Sequence, residues 1–212
     1  MISHSEGGST KVIRSNRHAY RRFTSTNMVR VYPNGLRVNS SNYCPLKHWA
    51  AGAQLVALNY QTLGLTEKYT PMLLNQALFR LNGGCGYVLK PRYLRTLEKP
   101  NPNLRWQHLK LRVISAELNG AIFKNLTNFY VTVKFFAPHR QVEKWSTGRV
   151  QNSLQPFWNR GLELSNIKYA EISFVQIMLK SNRGLLGLYT ISVEAMQEGK
   201  QLFEMFDKLF LI

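Results

Sequence analysis

Residues 54–60 (QLVALNY), 70–84 (TPMLLNQALFRLNGG) and 86–91 (GYVLKP) decide the fold class of the first half of the chain. The outer two runs are short, apolar and bounded by turn residues, the pattern of a buried strand. The middle run reads as a helix. Thr70 suits an N-cap and Pro71 the first helical position, Leu73, Leu74, Ala77, Leu78 and Leu81 recur on one face, and Gly83 supplies a stop. Strand, helix, strand is the unit of a parallel sheet. Residues 28–33 (MVRVYP) predict another strand, preceded by an Arg-rich helix over 11–23. Three such strands are less than half of a closed eight-stranded barrel, so the expectation is an α/β fold that is part of a barrel.

The second half changes period. Leu109, Leu111 and Val113 alternate with Lys110 and Arg112, and Val131, Val133 and Phe135 alternate with Thr132, Lys134 and Phe136. Period two over several short runs predicts an all-β antiparallel sandwich, with further strands over 161–164, 171–179, 186–193 and 202–211. Between the halves, residues 99–107 (KPNPNLRWQ) carry two prolines and two asparagines and read as a linker. The predicted units are therefore 1–98 and 108–212.

Composition narrows the chemistry. The net charge is +17, and ten of the eleven acidic residues are Glu, Asp207 being the one Asp. That excludes an Asp dyad, an Asp-rich calcium loop and an Asp-held magnesium. Cys44 and Cys85 form no zinc or disulfide pattern and read as small buried residues. His4, His18, His48, His108 and His139 show no pair at helical ligand spacing. No apolar signal core opens the sequence, so a cytoplasmic protein is expected.

From Arg30 onward the motifs R-x-YP-x-G-x-R-x-x-SSNY, W-x-x-G-x-Q-x-VALN-x-QT and NGGCGYVLKP stand in one order, after an opening SHSE. This stretch, roughly residues 3 to 95, resembles the Y-box of the eukaryotic phosphoinositide-specific phospholipases C. The second half, through VISAEL, FYVTVKFF, LQPFWN and LLGLYTISV, resembles the C2 domain that follows the Y-box in that family. The resemblance implies the later strands of a (β/α)8 TIM barrel joined to a C2-type sandwich. It implies hydrolysis of phosphatidylinositol 4,5-bisphosphate to diacylglycerol and inositol trisphosphate, at the surface of an anionic phosphoinositide membrane. The earlier strands, two catalytic histidines and the calcium ligands would come from an X-box, which no part of these 212 residues matches. That half would lie in the same longer chain or be supplied in trans.

Carried onto this sequence, the resemblance makes Arg30 and Tyr32 headgroup-binding residues and Leu36 an apolar residue at the membrane-facing rim. Two apart on one strand, Arg30 and Tyr32 point the same way, so a guanidinium and an aromatic face can line one pocket. The plainer reading makes Tyr32 a core residue, Arg30 a solvated edge residue and Leu36 a turn residue. The family also binds the headgroup through a Ser that has no assigned position here. In the second domain Asn128, Met178, Lys180 and Gly184 stand near places where C2 domains carry calcium-binding acids, so a calcium-independent C2 domain is expected, with Trp158 in its packing.

Ser40, Ser41, Asn42 and Tyr43 are expected to cap and bond the turn that leads into the helix at Trp49 and not to form a nucleophile cluster. Lys11, Arg14, Arg17, Arg21 and Arg22 form a basic cluster suited to an anionic bilayer, or equally a solvated helix face. Three classes of function follow: part of a phospholipase, a catalytically inactive phosphoinositide-binding adaptor, and, far behind because no nucleic-acid module is present, a nucleic-acid binder.

Overall fold

A computed structural model of the chain describes residues 1–61, 70–98, 108–123, 125–151, 153–201, 203, 206 and 207. The predicted linker, 99–107, lies outside the described residues.

The first unit is built on a parallel sheet of three strands in the order β1 (Ile2–Ser5), β2 (Val29–Tyr32), β3 (Leu55–Val56). Helices α1 (Glu6–Ser15) and α2 (Arg17–Thr26) connect β1 to β2, and α3 (Leu46–Ala50) precedes β3. The single helix expected over 11–23 is two helices. Asn16 divides them: its backbone N–H closes α1 on Val12 O, while its side chain accepts from Ala19 N and caps α2. Val29 and Val31 are fully buried and meet Ile13, Tyr20 and Trp49 on the helix side of the sheet.

Helix α4 (Thr70–Phe79) forms as predicted and buries Met72, Leu73, Leu74, Ala77 and Leu78. Gly83 follows it at φ 67, a conformation that suits a residue without Cβ. Residues 86–91 do not form the expected strand. Asn82 Nδ2 donates to Tyr87 O (3.3 Å), and Tyr87 and Leu89 are exposed, so only the Val88 side of the run is partly buried. A short helix, α5 (Arg92–Arg95), ends the unit.

The second unit contains two antiparallel sheets. One pairs β4 (His108–Ser115) with β7 (Phe157–Ser165), and a short helix, α6 (Gly120–Phe123), follows β4. The other has the order β10 (Phe206–Asp207), β9 (Gly184–Ser192), β8 (Phe174–Ser181), β5 (Tyr130–Phe136), β6 (Glu143–Ser146). Leu109 and Leu164 from the first sheet enclose one core with Val131, Val133, Phe135, Val175, Leu179 and Ile191 from the second, and Trp158 packs there as expected. Burying such side chains contributes about 1.5–3 kcal/mol each.

The outer face of the five-stranded sheet is not solvated. Phe136 and Phe174 join the core of the first unit, with Trp49 and Phe174 ring centroids 6.0 Å apart, and Leu73 packs on Met178 and Leu188. The two units thus share apolar cores.

Candidate functional site

Alternation on β2 sets the site. With Val29 and Val31 turned to the helices, Arg30 and Tyr32 project from the opposite face of the sheet, and the Arg30 guanidinium carbon lies 5.0 Å from the Tyr32 ring centroid. The two residues are half-buried. Parallel register places Ser3 beside Arg30 and Ser5 beside Tyr32 on β1, and Leu55 beside Arg30 on β3. Sequence reasoning left Ser3 and Ser5 unassigned, because β1 is short and polar. The repeated Ser in SHSE, at the spacing of one strand face, was the available signal.

Beyond Tyr32 the chain turns into a loop anchored by Glu6. Its carboxylate accepts from Asn34 N (3.0 Å) and from Arg37 Nη2 (2.7 Å), and Arg37 Nη1 donates to Ser41 Oγ (2.9 Å). The bond from Arg37 outweighs burial and, with the Asn34 N–H, holds the Glu6 carboxyl below its ordinary range. Leu36 stands on this loop at 85% exposure, next to a Val38 at 96%.

Ser41, Asn42 and Tyr43 do not cap α3, whose N-cap is Pro45 with no side-chain bond. They staple the loop to the sheet. Asn42 exchanges bonds with Asn59 (Nδ2 to O, 2.7 Å; N to Oδ1, 2.7 Å), and the Tyr43 hydroxyl donates toward Ala57 O (2.9 Å) and Val31 O (3.2 Å). Burial drives the Tyr43 phenol up, so it stays neutral.

His48 is the buried histidine of this unit, at 2% exposure. Its Nδ1 lies 2.9 Å from Ser9 Oγ, which lies 3.2 Å from the Tyr20 hydroxyl. Burial first, then Lys47, lowers its pKa to about 4. With Ser9 also fully buried, this Ser–His pair is sealed from any substrate and is a structural network, not a nucleophile.

The basic cluster is split. Lys11, Arg14 and Arg22 are exposed, whereas Arg17 reaches His139 (Nη1 to Nδ1, 3.3 Å) and Arg21 donates to Tyr93 O (2.8 Å). Lys90 of the NGGCGYVLKP motif donates to Thr24 O near the end of α2, and burial lowers its pKa to about 8. Cys44 and Cys85, expected to be buried, are both exposed. Cys44 lies in a loop beside Pro45, where burial still pushes its thiol up, and Cys85 lies between glycines.

In the second unit Met178 and Lys180 are not loop residues. Both lie in β8, and Met178 is fully buried against Leu73, so neither marks a cation site. At the turn from β8 to β9, Asn182 accepts from Thr127 N (3.1 Å) and its neighbour is Arg183. Among the described residues no group of three or more His, Cys, Asp or Glu could hold a metal ion.

The family model for the phosphatidylinositol-specific phospholipase C Y domain matches residues 1–93, and that for the C2 domain matches residues 107–207. This chain belongs to the phosphatidylinositol-specific phospholipases C. It is a Y domain joined to a C2 domain. It is 32% identical to human 1-phosphatidylinositol 4,5-bisphosphate phosphodiesterase delta-4, over 97% of this chain and 28% of the relative. It is 34% identical to the bovine zeta-1 protein, over 86% of this chain and 30% of the relative. The crystal structure of PLC21 from L. pealei shares its fold, with a TM-score of 0.81 at 24% identity, covering 98% of this chain and 28% of that one. The chain therefore spans less than a third of these phospholipases. No helix among the described residues is long and apolar enough to cross a membrane.

Proposed function

We propose that this chain is the headgroup-gripping portion of a phosphoinositide phospholipase C, a peripheral enzyme of cytoplasmic membrane surfaces that hydrolyses phosphatidylinositol 4,5-bisphosphate to diacylglycerol and inositol trisphosphate. Residues 1–98 would supply the later strands of a (β/α)8 barrel and 108–212 a C2 sandwich. The observation that carries the reading is the pairing of Arg30 and Tyr32 on the open face of β2, near the C-terminal end of parallel strands, where barrel enzymes place their sites.

There the Arg30 guanidinium would grip a ring phosphate with two parallel hydrogen bonds, and the Tyr32 ring would lie against the apolar face of the inositol. Ser3, beside Arg30 in register, adds a hydroxyl on the same face. Leu36, exposed on the anchored loop, would enter the acyl layer, contributing at most about 1.5–3 kcal/mol. Lys11, Arg14 and Arg22 would each add about 1 kcal/mol near an anionic surface.

The general acid and base would come from an X-box half. Calcium neutralises phosphate charge in such a reaction, but this chain does not fit the ion. Glu6, at the start of α1, is neutralised by Arg37, and Asn128, Met178, Lys180 and Gly184 of the C2 domain are neutral or cationic. No step through calcium is assigned to these residues.

Liposome sedimentation tests the reading. Wild type should bind vesicles containing the bisphosphate lipid more tightly than phosphatidylserine vesicles of equal charge, and Arg30→Ala should abolish the difference. Unchanged preference in Arg30→Ala removes Arg30 from the site. Turnover on adding an X-box half supports the enzyme, and binding without turnover supports the adaptor.

A further inference from the structure

The two sheets of the C2 domain part along one side, between β7 and the edge strand β6, and leave a cleft of about 270 Å³. Its apolar walls are Val113, Val131, Val133, Trp145 and Leu162, Ser146 and Thr147 stand at its edge, and Arg160 stands among them. Strand alternation puts Arg160 on the same face of β7 as Trp158 and Leu162, which is the face that packs the core. Glu163 falls on the opposite face, in register with Lys110. Among the described residues no carboxylate pairs with Arg160, and the guanidinium stays at the exposed mouth. The Arg160 stem lies along the apolar wall while its charged head is free to meet an anion entering the cleft.

We propose that this cleft binds a single-chain anionic amphiphile of the fatty-acid class, with the hydrocarbon between the sheets and the carboxylate on Arg160. The walls favour hydrocarbon, because most are apolar and the Ser146 and Thr147 hydroxyls at the edge are already bonded to Thr132 Oγ1 and Gly148 O. The size selects one chain: the volume lies just under the roughly 300 Å³ at which pockets for drug-sized molecules begin, too little for a two-chain lipid. The charge selects the head, since among the described residues the ionic group lining the cleft is a guanidinium that can hold a carboxylate bidentately. Trp145, half-buried opposite Val133 on β6, reports occupancy.

Titration calorimetry of the 212-residue chain with dodecanoate below its micelle concentration, beside dodecanol, tests this site independently of the headgroup site. Dodecanoate should bind, and Arg160→Ala should weaken it roughly tenfold, the effect of one lost charge-assisted contact, while leaving dodecanol unchanged. Arg160→Lys should restore part of the loss. Leu162→Trp, which fills the cleft, should weaken both ligands. A brominated fatty acid should quench tryptophan fluorescence in wild type and less in Trp145→Phe. Absence of dodecanoate binding, or equal binding by wild type and Arg160→Ala, overturns the proposal. Arg160 is exposed, so its variants test the site even if Leu162→Trp does not fold.

Discussion

The Glu6 carboxylate at the start of α1 clamps the Arg37 guanidinium, 31 residues later, with Oε2 and Nη2 2.7 Å apart. The same carboxylate holds Asn34 N, so one side chain fixes both ends of the turn that presents Leu36. An ion pair that is bidentate and mostly covered outweighs an exposed one.

Arg37→Ala should cost about 1–2 kcal/mol, below the full range for hydrogen bonds to charged groups because the pair is partly exposed. The pH dependence has a definite sign. The folded carboxyl titrates below its unfolded value, so its stabilisation is present above the ordinary carboxylate range and is lost as pH falls through the lowered folded value. Urea midpoints of wild type and Glu6→Gln should differ at pH 7 and converge as pH falls below the ordinary carboxylate range.

His48 adds a second acid sensitivity. Its folded pKa is about 4 against an unfolded value of about 6.5, so the unfolded state takes up the proton first. Stability should fall as pH drops from about 6.5 to about 4, by roughly 3 kcal/mol at most. His48→Gln should flatten that slope in urea titrations across this window. An unchanged slope would show that another group carries it.

Phe174 joins the units. It is fully buried, lies 6.0 Å from Trp49, and belongs to the core of the Y domain although its strand belongs to the C2 domain. Phe174→Ala should cost about 3–5 kcal/mol. Beyond the loss of stability, the calorimetric transition should broaden or split, because the variant weakens a contact that joins the two units.

Gly52 is irreplaceable for two independent reasons. Its φ of +91 disfavours any L side chain, and a Cβ there would lie 2.3 Å from Thr24 Oγ1. Gly52→Ala should therefore cost at least about 2 kcal/mol. Thr24→Ala removes the clashing oxygen, so the double variant should be more stable than the sum of the two single losses predicts, as a double-mutant cycle in urea would show.

Local chemistry accounts for what was legible in advance. Val29, Arg30, Val31 and Tyr32 alternate apolar and polar, which determined the strand and which pair points away from the helices. The leucine face of 70–79 determined α4, and the period-two runs determined β4 and β5. The motifs of the Y-box and C2 domain were sufficient for the family. Misreadings arose where a local pattern had a competitor. A side-chain cap at Asn16 broke one helix into two, residues 86–91 leave Tyr87 and Leu89 exposed where a buried strand was expected, and β6, only four residues with a charged pair, carried too weak a period to register.

The amino-acid order alone thus determined the family, the helical and strand character of the strongly patterned segments, and the common direction of Arg30 and Tyr32, because each depends on side-chain periods within a few residues. Tertiary structure alone decided that Glu6 anchors Arg37, that Ser9 seals His48, that Arg17 turns from solvent to His139, and that Arg160 stands in the cleft between two sheets. Those pairings join segments 31, 39 and 122 residues apart in the first three cases, and no local period encodes which distant side chain will fill the space that folding creates.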